Sequence, residues 1–124
     1  MKKQRPVNLD LSTIKLPPAG RASILHRITG VAMFFALLFV IWAWATSIAS
    51  PEGFALVSDL MNGFVGKFIA IGTLSAFTFH FIGGIRHLVM DMGYWEELES
   101  GNTSANIAIG LWIVITIVIA GVLI

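Results

Sequence analysis

The amino-acid sequence predicts an all-α membrane protein with three transmembrane helices, and two observations support this fold class. Of 124 residues, 56% are hydrophobic and only 12% are charged, whereas about 25% of the residues in a soluble domain are charged. Charge is also absent from three segments, residues 28–51, 68–85 and 105–124. Each segment, as a helix, is long enough for a hydrocarbon core of roughly 30 Å. None alternates with period two, which argues against membrane strands.

The first 20 residues are expected to form an arm, with the helical domain occupying residues 21–124. Pro6, Pro17 and Pro18 interrupt any long helix in the arm. The first helix is predicted to begin near Arg21. A signal-peptide layout is not expected, because the first apolar run begins only after residue 27. The three spans are predicted to cover about residues 27–49, 66–87 and 104–124.

A short helix is predicted between the first two spans. Ser50, Pro51 and Glu52 follow one another there. They match an N-cap, a first-position proline and a first-turn acid. The segment is therefore expected to form a helix outside the hydrocarbon core.

The distribution of basic residues predicts a cytoplasmic N-terminus. Six of the eight lie in residues 1–27, whereas residues 49–67 and residues 86–104, which connect the spans, carry one each. Cytoplasmic segments of membrane proteins are enriched in Lys and Arg. The six are Lys2, Lys3, Arg5, Lys15, Arg21 and Arg27, and the other two are Lys67 and Arg86.

The second uncharged segment, residues 68–85, contains one ionisable side chain, His80. An imidazole at that depth is costly to bury without a partner, so it marks a candidate functional site. His87 lies on the same helical face, and Gly83 and Gly84 stand between the two histidines. We interpret His80 as an axial haem ligand, with the glycines making room for the macrocycle. Arg86 or His87 would then reach the acidic propionates at the membrane edge.

Two considerations qualify this interpretation. Small residues around one histidine are also typical of a helix-packing face, with His80 hydrogen-bonded to a neighbouring helix. If His80 does bind haem, the remaining histidines, His26 and His87, are expected at the membrane edge, too far for a second axial ligand. The second ligand would then come from another polypeptide, and the chain would belong to a heteromeric helix bundle.

The chain has no cysteine, which excludes cysteine-ligated iron–sulfur clusters and covalently attached haem within it.

A second polar group is predicted at the start of the first helix. Ser23, His26 and Arg27 share one helical face. Taken alone, this triplet is more typical of an ordinary helix start, in which Ser23 caps or solvates the helix and Arg27 is a basic residue at the cytoplasmic membrane edge. The functional interpretation is a pocket in which Ser23 and Arg27 hold the carbonyl oxygens of a lipid-soluble quinone, with Arg27 stabilising the negative charge that develops on reduction. His26 would assist a propionate or a proton path.

At these positions the sequence resembles the cytochrome b556 subunits of succinate dehydrogenase, which are membrane anchors of respiratory complex II. The resemblance covers essentially the whole chain and includes the Ser50-Pro51-Glu52-Gly53-Phe54 segment. It rests on two patterns: Arg5-Pro6 followed by Ser23-x-x-His26-Arg27-x-Thr29, and His80-x-x-x-Gly84-Ile85-Arg86-His87-Leu88-x-Met90-Asp91.

The resemblance implies specific roles for these residues. His80 matches the axial ligand of a haem b shared with a second small anchor subunit. Ser23 and Arg27 match positions lining the ubiquinone site, while His26, Arg27 and His87 match positions near the haem propionates.

The resemblance also implies a location and partners. It implies a bacterial inner membrane and a complex that passes electrons from succinate to quinone in the respiratory chain and the tricarboxylic acid cycle. FAD and the iron–sulfur clusters would belong to a flavoprotein and an iron–sulfur subunit. Besides these subunits and the lipid bilayer, no nucleic-acid partner is expected.

Two other classes of function are compatible with parts of the pattern. One is a three-helix anchor without a redox group that recruits a soluble protein through its basic arm. The other is a small proton or ion carrier with His80 in a relay. The carrier is disfavoured, because the three uncharged segments contain no Asp, Glu, Lys or Arg to continue a path.

Overall fold

A computed structural model describes residues 15–124, which contain four α-helices: α1 (Pro18–Ala49), α2 (Pro51–Asn62), α3 (Phe64–Asp91) and α4 (Leu98–Leu123). Helices α1, α3 and α4 are long and apolar enough to cross a membrane. The chain is therefore a multi-pass membrane protein, and the prediction of three transmembrane helices is confirmed. Most of the expected arm, with its Arg5-Pro6 pair, lies outside the described residues. The cytoplasmic location of the N-terminus stays a prediction.

The long helices extend beyond the predicted spans. Helix α1 begins at Pro18 rather than near Arg21, because a proline is tolerated in the first turn of a helix, where its missing N–H costs nothing. Helix α3 continues to Asp91, and α4 begins at Leu98. Hydropathy marks the part of a helix that lies in hydrocarbon, so it does not report polar turns at the helix end. The extra first turns of α1 carry two residues of the site described below, Ser23 and His26.

The predicted short helix after Ser50 is confirmed as α2. The Ser50 hydroxyl accepts a hydrogen bond of 2.9 Å from the Gly53 N–H, and Glu52 stands in the first turn, where a carboxylate favours the positive end of the helix dipole. A Cβ at Gly53 would overlap the Thr46 carbonyl. Glycine therefore allows α2 to fold back closely onto the end of α1.

Helices α3 and α4 are joined by a polar cluster within their apolar surfaces. Trp112 Nε1 lies 3.0 Å from both the main-chain oxygen and the hydroxyl of Ser75. The Ser75 hydroxyl also lies 3.0 Å from the hydroxyl of Thr116. The Trp112 ring packs edge-on against the fully buried Phe79 at a centroid distance of 5.1 Å. Such hydrogen bonds hold membrane helices together where the hydrophobic effect cannot.

Arg86 joins the charged end of α3 to the start of α4. Its side chain is only 4% exposed. Its guanidinium donates to the Ser104 hydroxyl and to the Gly101 carbonyl, each at 3.0 Å. The Ala19 N–H donates to the Asn102 side-chain oxygen at 3.3 Å, which attaches the start of α1 to α4. The three long helices are thus connected at the end where α1 and α4 begin.

Candidate functional site

His80 lies on α3 where that helix meets α1. Its Nδ1 lies 3.0 Å from the main-chain oxygen of His26 and 3.4 Å from the Thr29 hydroxyl. A carbonyl oxygen can only accept, so Nδ1 carries the hydrogen. In a neutral imidazole the free lone pair is then on Nε2. Within residues 15–124, both hydrogen-bond contacts of His80 involve Nδ1, which leaves Nε2 available to a ligand.

The approach of α1 to His80 depends on Gly30. A Cβ at this position would lie 3.0 Å from Cε1 and 3.4 Å from Nδ1 of His80. That separation is tighter than ordinary van der Waals contact, so a side chain there would displace the imidazole. Gly30 therefore brings the α1 main chain within hydrogen-bonding distance of His80.

The ring of His26 stacks on the ring of His80. Their centroids are 4.0 Å apart and their planes differ by 12°. The expectation that no second histidine reaches the depth of His80 is therefore wrong. It assumed that the start of the first span marks a membrane edge from which side chains cannot reach inward, whereas α1 and α3 run antiparallel and place the two rings side by side.

The space beside Gly83 and Gly84 is occupied by His26. A Cβ at Gly83 would lie 3.0 Å from the His26 ring, and one at Gly84 would lie 3.8 Å from its Nε2. The prediction that these glycines make room for a macrocycle is therefore wrong. They make room for an imidazole from α1, so any larger group near His80 must lie elsewhere.

His87 and Arg86 point in different directions, although they are adjacent in sequence. His87 meets the edge of the His26 ring at a centroid distance of 5.1 Å. Arg86 is buried against α4 through its bonds to Gly101 and Ser104. Of the two alternatives, Arg86 or His87, the structure disfavours Arg86, because its donors are engaged by α4. His87 remains a candidate.

The structure brings the three histidines together and leaves Ser23 and Arg27 beside them on α1. His26 and His80 form the stacked pair, and His87 closes its edge. Ser23 is half-buried and Arg27 is exposed, one helical turn apart. Arg27 thus offers an accessible cation directly after His26 in the chain.

A groove of small residues continues from His80 between α1 and α3. It has a volume of about 280 Å³ and begins one helical turn from His80, at Ala76. No atom lies within 4 Å of a Cβ placed on Gly72. The groove is lined by Ala32, Ala36, Phe68, Ile69, Gly72, Thr73 and Ala76. Gly72 and Ala76 stand at helical spacing before His80 and share its face of α3.

Sequence reasoning missed the contribution of Thr29 and Gly30. Thr29 is buried within α1, and its hydroxyl donates to a main-chain oxygen one turn back, either Leu25 at 2.8 Å or His26 at 3.0 Å. The sequence did show a threonine and a glycine one helical turn after His26 in an apolar helix, which is a signal for a close polar contact. Periodicity alone could not show that they face His80.

Comparisons with known proteins identify the family of this chain. Residues 1–119 match the model of the succinate dehydrogenase/fumarate reductase transmembrane subunit family. The chain is 40% identical to a succinate dehydrogenase cytochrome b556 subunit of Coxiella burnetii over 98% of both chains. It is 31% identical to that of Paracoccus denitrificans, over 91% of this chain and 87% of the relative. It is 33% identical to that of Rickettsia felis, over 80% and 77%. With a histidine cluster at the meeting point of its transmembrane helices, the chain belongs to the family of membrane-anchor cytochrome b subunits of succinate dehydrogenase.

Proposed function

We propose that this chain anchors a succinate:quinone oxidoreductase in the membrane, ligates a haem b through His80, and helps to form the site of quinone reduction. The observation that carries this proposal is the hydrogen bond from His80 Nδ1 to the His26 carbonyl. Metal-binding histidines usually donate their second ring N–H to such an acceptor, which sets the tautomer and the ring orientation. The relatives are named cytochrome b556 subunits, and b-type cytochromes hold haem.

The residues around His80 fit a haem. Nε2 is the free ligand nitrogen, and the small-residue groove beginning at Ala76 is an apolar space on the same helix face. When bound there, haem would supply a one-electron redox centre. The role of this chain is to hold His80 in one tautomer and to exclude water with the apolar surfaces of α1 and α3.

The second axial ligand is assigned to a second small anchor subunit. His26 stacks directly on His80, so a haem held by His80 would find no room between the two rings, and His26 is not proposed as a second ligand. His87 contacts His26 rather than standing across from Nε2. Within residues 15–124 no histidine remains, so the haem site requires a neighbouring polypeptide.

Ser23 and Arg27 are proposed to position the quinone. The Ser23 hydroxyl would donate to one quinone oxygen, and the exposed Arg27 guanidinium would stabilise negative charge as electrons arrive singly. Protons would be taken from the side on which α1 begins. His26, Arg27 and His87 would lie near the haem propionates, because Arg27 supplies a cation and the two imidazoles supply N–H donors.

The proposal includes the rest of the complex. Succinate oxidation with FAD would occur on a flavoprotein, and electrons would arrive through an iron–sulfur subunit. The preferred acceptor is ubiquinone. The N-terminus would lie on the cytoplasmic side of a bacterial inner membrane, because the six basic residues of segment 1–27 match the preference of cytoplasmic segments for positive charge.

A reduced-minus-oxidised spectrum of the purified complex tests His80. The His80→Leu variant is expected to lose or alter the haem bands, while Phe81→Leu is the matched control. Phe81 is the next residue on α3 and 58% exposed, so its replacement should leave the spectrum unchanged. An unchanged spectrum in His80→Leu would remove this residue from the ligand role.

Electron transfer to two acceptors tests the quinone pocket. Ser23→Ala and Arg27→Leu are expected to impair quinone reduction and to preserve succinate oxidation with an artificial dye, because only the transfer of electrons to quinone would use these residues. Arg21→Leu is the matched control, since Arg21 is also an exposed basic residue of α1. Normal quinone turnover in both pocket variants would contradict the assignment.

An anchor without a redox group is the second candidate. The bond from His80 to the His26 carbonyl also suits a histidine that only packs two helices together. A pyridine haemochrome assay on the purified complex distinguishes a haem-binding anchor from an anchor without a redox group. Stoichiometric haem b supports the main proposal, and its absence supports the pure anchor.

A further inference from the structure

We propose that Thr29 strengthens the electron donation of His80 by accepting a second hydrogen bond from its Nδ1–H. This inference rests on the proposed function of His80 as a haem ligand. Thr29 would be a positioning residue that acts through His80 and never contacts the haem. Its hydroxyl oxygen is 3.4 Å from Nδ1, next to the shorter 3.0 Å contact with the His26 carbonyl.

The direction of the Thr29 hydroxyl follows from counting lone pairs. A carbonyl oxygen has two. In a continuous α-helix the His26 carbonyl accepts from the Gly30 N–H, and its second lone pair is used by His80 Nδ1–H. The Leu25 carbonyl accepts from the Thr29 N–H and retains one free lone pair. The hydroxyl hydrogen therefore goes to Leu25, at 2.8 Å, rather than to His26, at 3.0 Å.

With its hydrogen on Leu25, the Thr29 oxygen presents its own lone pairs to His80. Nδ1–H then makes a bond shared between two acceptors, the His26 carbonyl and the Thr29 hydroxyl. Thr29 is only 6% exposed, so water cannot replace it. A β-branched side chain in a helix also has few rotamers, which keeps the oxygen in place.

The consequence concerns the iron that His80 would bind. An imidazole whose N–H is held by stronger acceptors is a more basic ligand. A more basic ligand stabilises ferric over ferrous iron and lowers the midpoint potential of the haem. Removing the Thr29 hydroxyl should therefore raise that potential, whereas a serine at the same position should preserve it.

A potentiometric titration of the haem bands in the purified complex tests this inference. Thr29→Val keeps the shape and the β-branch but removes the oxygen. We expect the reduced-to-oxidised ratio at a fixed ambient potential to increase on the order of threefold, which is an upward shift of about 28 mV at 59 mV per tenfold change for one electron. Thr29→Ser restores the hydroxyl and should titrate at the wild-type potential.

Thr29→Ala is the companion variant if the valine interferes with assembly, because it removes the hydroxyl without adding bulk. An upward shift in the hydroxyl-free variants, with Thr29→Ser unchanged, supports the inference. No shift or a downward shift in those variants overturns it, as does a serine variant that moves with alanine, because packing would then be the cause. If His80→Leu leaves the haem spectrum intact, the proposed function itself fails, so the two failures are distinguishable.

Discussion

The imidazoles of His26 and His80 stack at a centroid distance of 4.0 Å with planes 12° apart, although the residues are 54 positions apart. The same two residues are joined a second time, because the His80 ring donates to the His26 main-chain oxygen. One residue of α1 therefore contacts His80 through both its side chain and its backbone. This double contact holds the imidazole between the two helices with only one nitrogen free.

Replacing His26 by alanine separates these two contacts. Because the hydrogen-bond acceptor is a main-chain oxygen, His26→Ala should keep the tautomer of His80 and therefore its haem. The loss of the stacked pair should lower the free energy of unfolding by about 0.5–1.5 kcal/mol. A reduced-minus-oxidised spectrum and thermal unfolding in detergent measure the two effects. Haem loss as complete as in His80→Leu would show that the side chain, not the backbone, supports the ligand.

Gly30 determines how closely α1 approaches His80. In Gly30→Val, a Cβ that lies 3.0 Å from His80 Cε1 must push the helices apart, which should cost about 1–3 kcal/mol and reduce the haem content. The matched control is Gly110→Val, because nothing lies within 4 Å of a Cβ placed at Gly110. Haem per complex and the unfolding temperature are the readouts. Equal haem content and equal unfolding temperatures in the two variants would contradict the close approach of α1 to His80 at Gly30.

Arg86 should contribute to stability rather than to electron transfer. Arg86→Leu removes both bonds to α4 and leaves the Gly101 carbonyl without this donor, so we expect a loss on the order of 1.5–3 kcal/mol. Ser104→Ala removes one of the two bonds and should cost less. Thermal unfolding of the complex measures the loss. A normal unfolding temperature together with a shifted haem spectrum would instead place Arg86 near the haem.

Trp112 has separable polar and packing roles. Trp112→Phe loses the hydrogen bonds to Ser75 but keeps an aromatic ring against Phe79, so it should cost about 0.6 kcal/mol per bond. Trp112→Ala also opens a cavity and should cost about 3–5 kcal/mol. Denaturation of both variants in the same detergent tests this order. Equal losses would mean that packing against Phe79 contributes little.

Local features of the sequence were sufficient to predict the helices and to select His80 as the centre of a candidate site. Uncharged runs of the right length predicted α1, α3 and α4, and the Ser50-Pro51-Glu52 segment predicted α2, because hydropathy and capping depend only on neighbouring residues. One imidazole in an apolar run identified His80 as the candidate ligand. These inferences needed no knowledge of which helix faces meet.

Only the tertiary structure decided how the site is built. The amino-acid sequence determined that His80 lies in an apolar helix, but not that His26 stacks on it, that Gly83 and Gly84 accommodate this ring, or that Arg86 turns towards α4. These contacts join residues far apart in the chain, and their geometry depends on the rotation and separation of packed helices. An apolar helix offers hydrophobic surface on every side, so the partner of each face is chosen by close packing and hydrogen bonding, not by hydropathy.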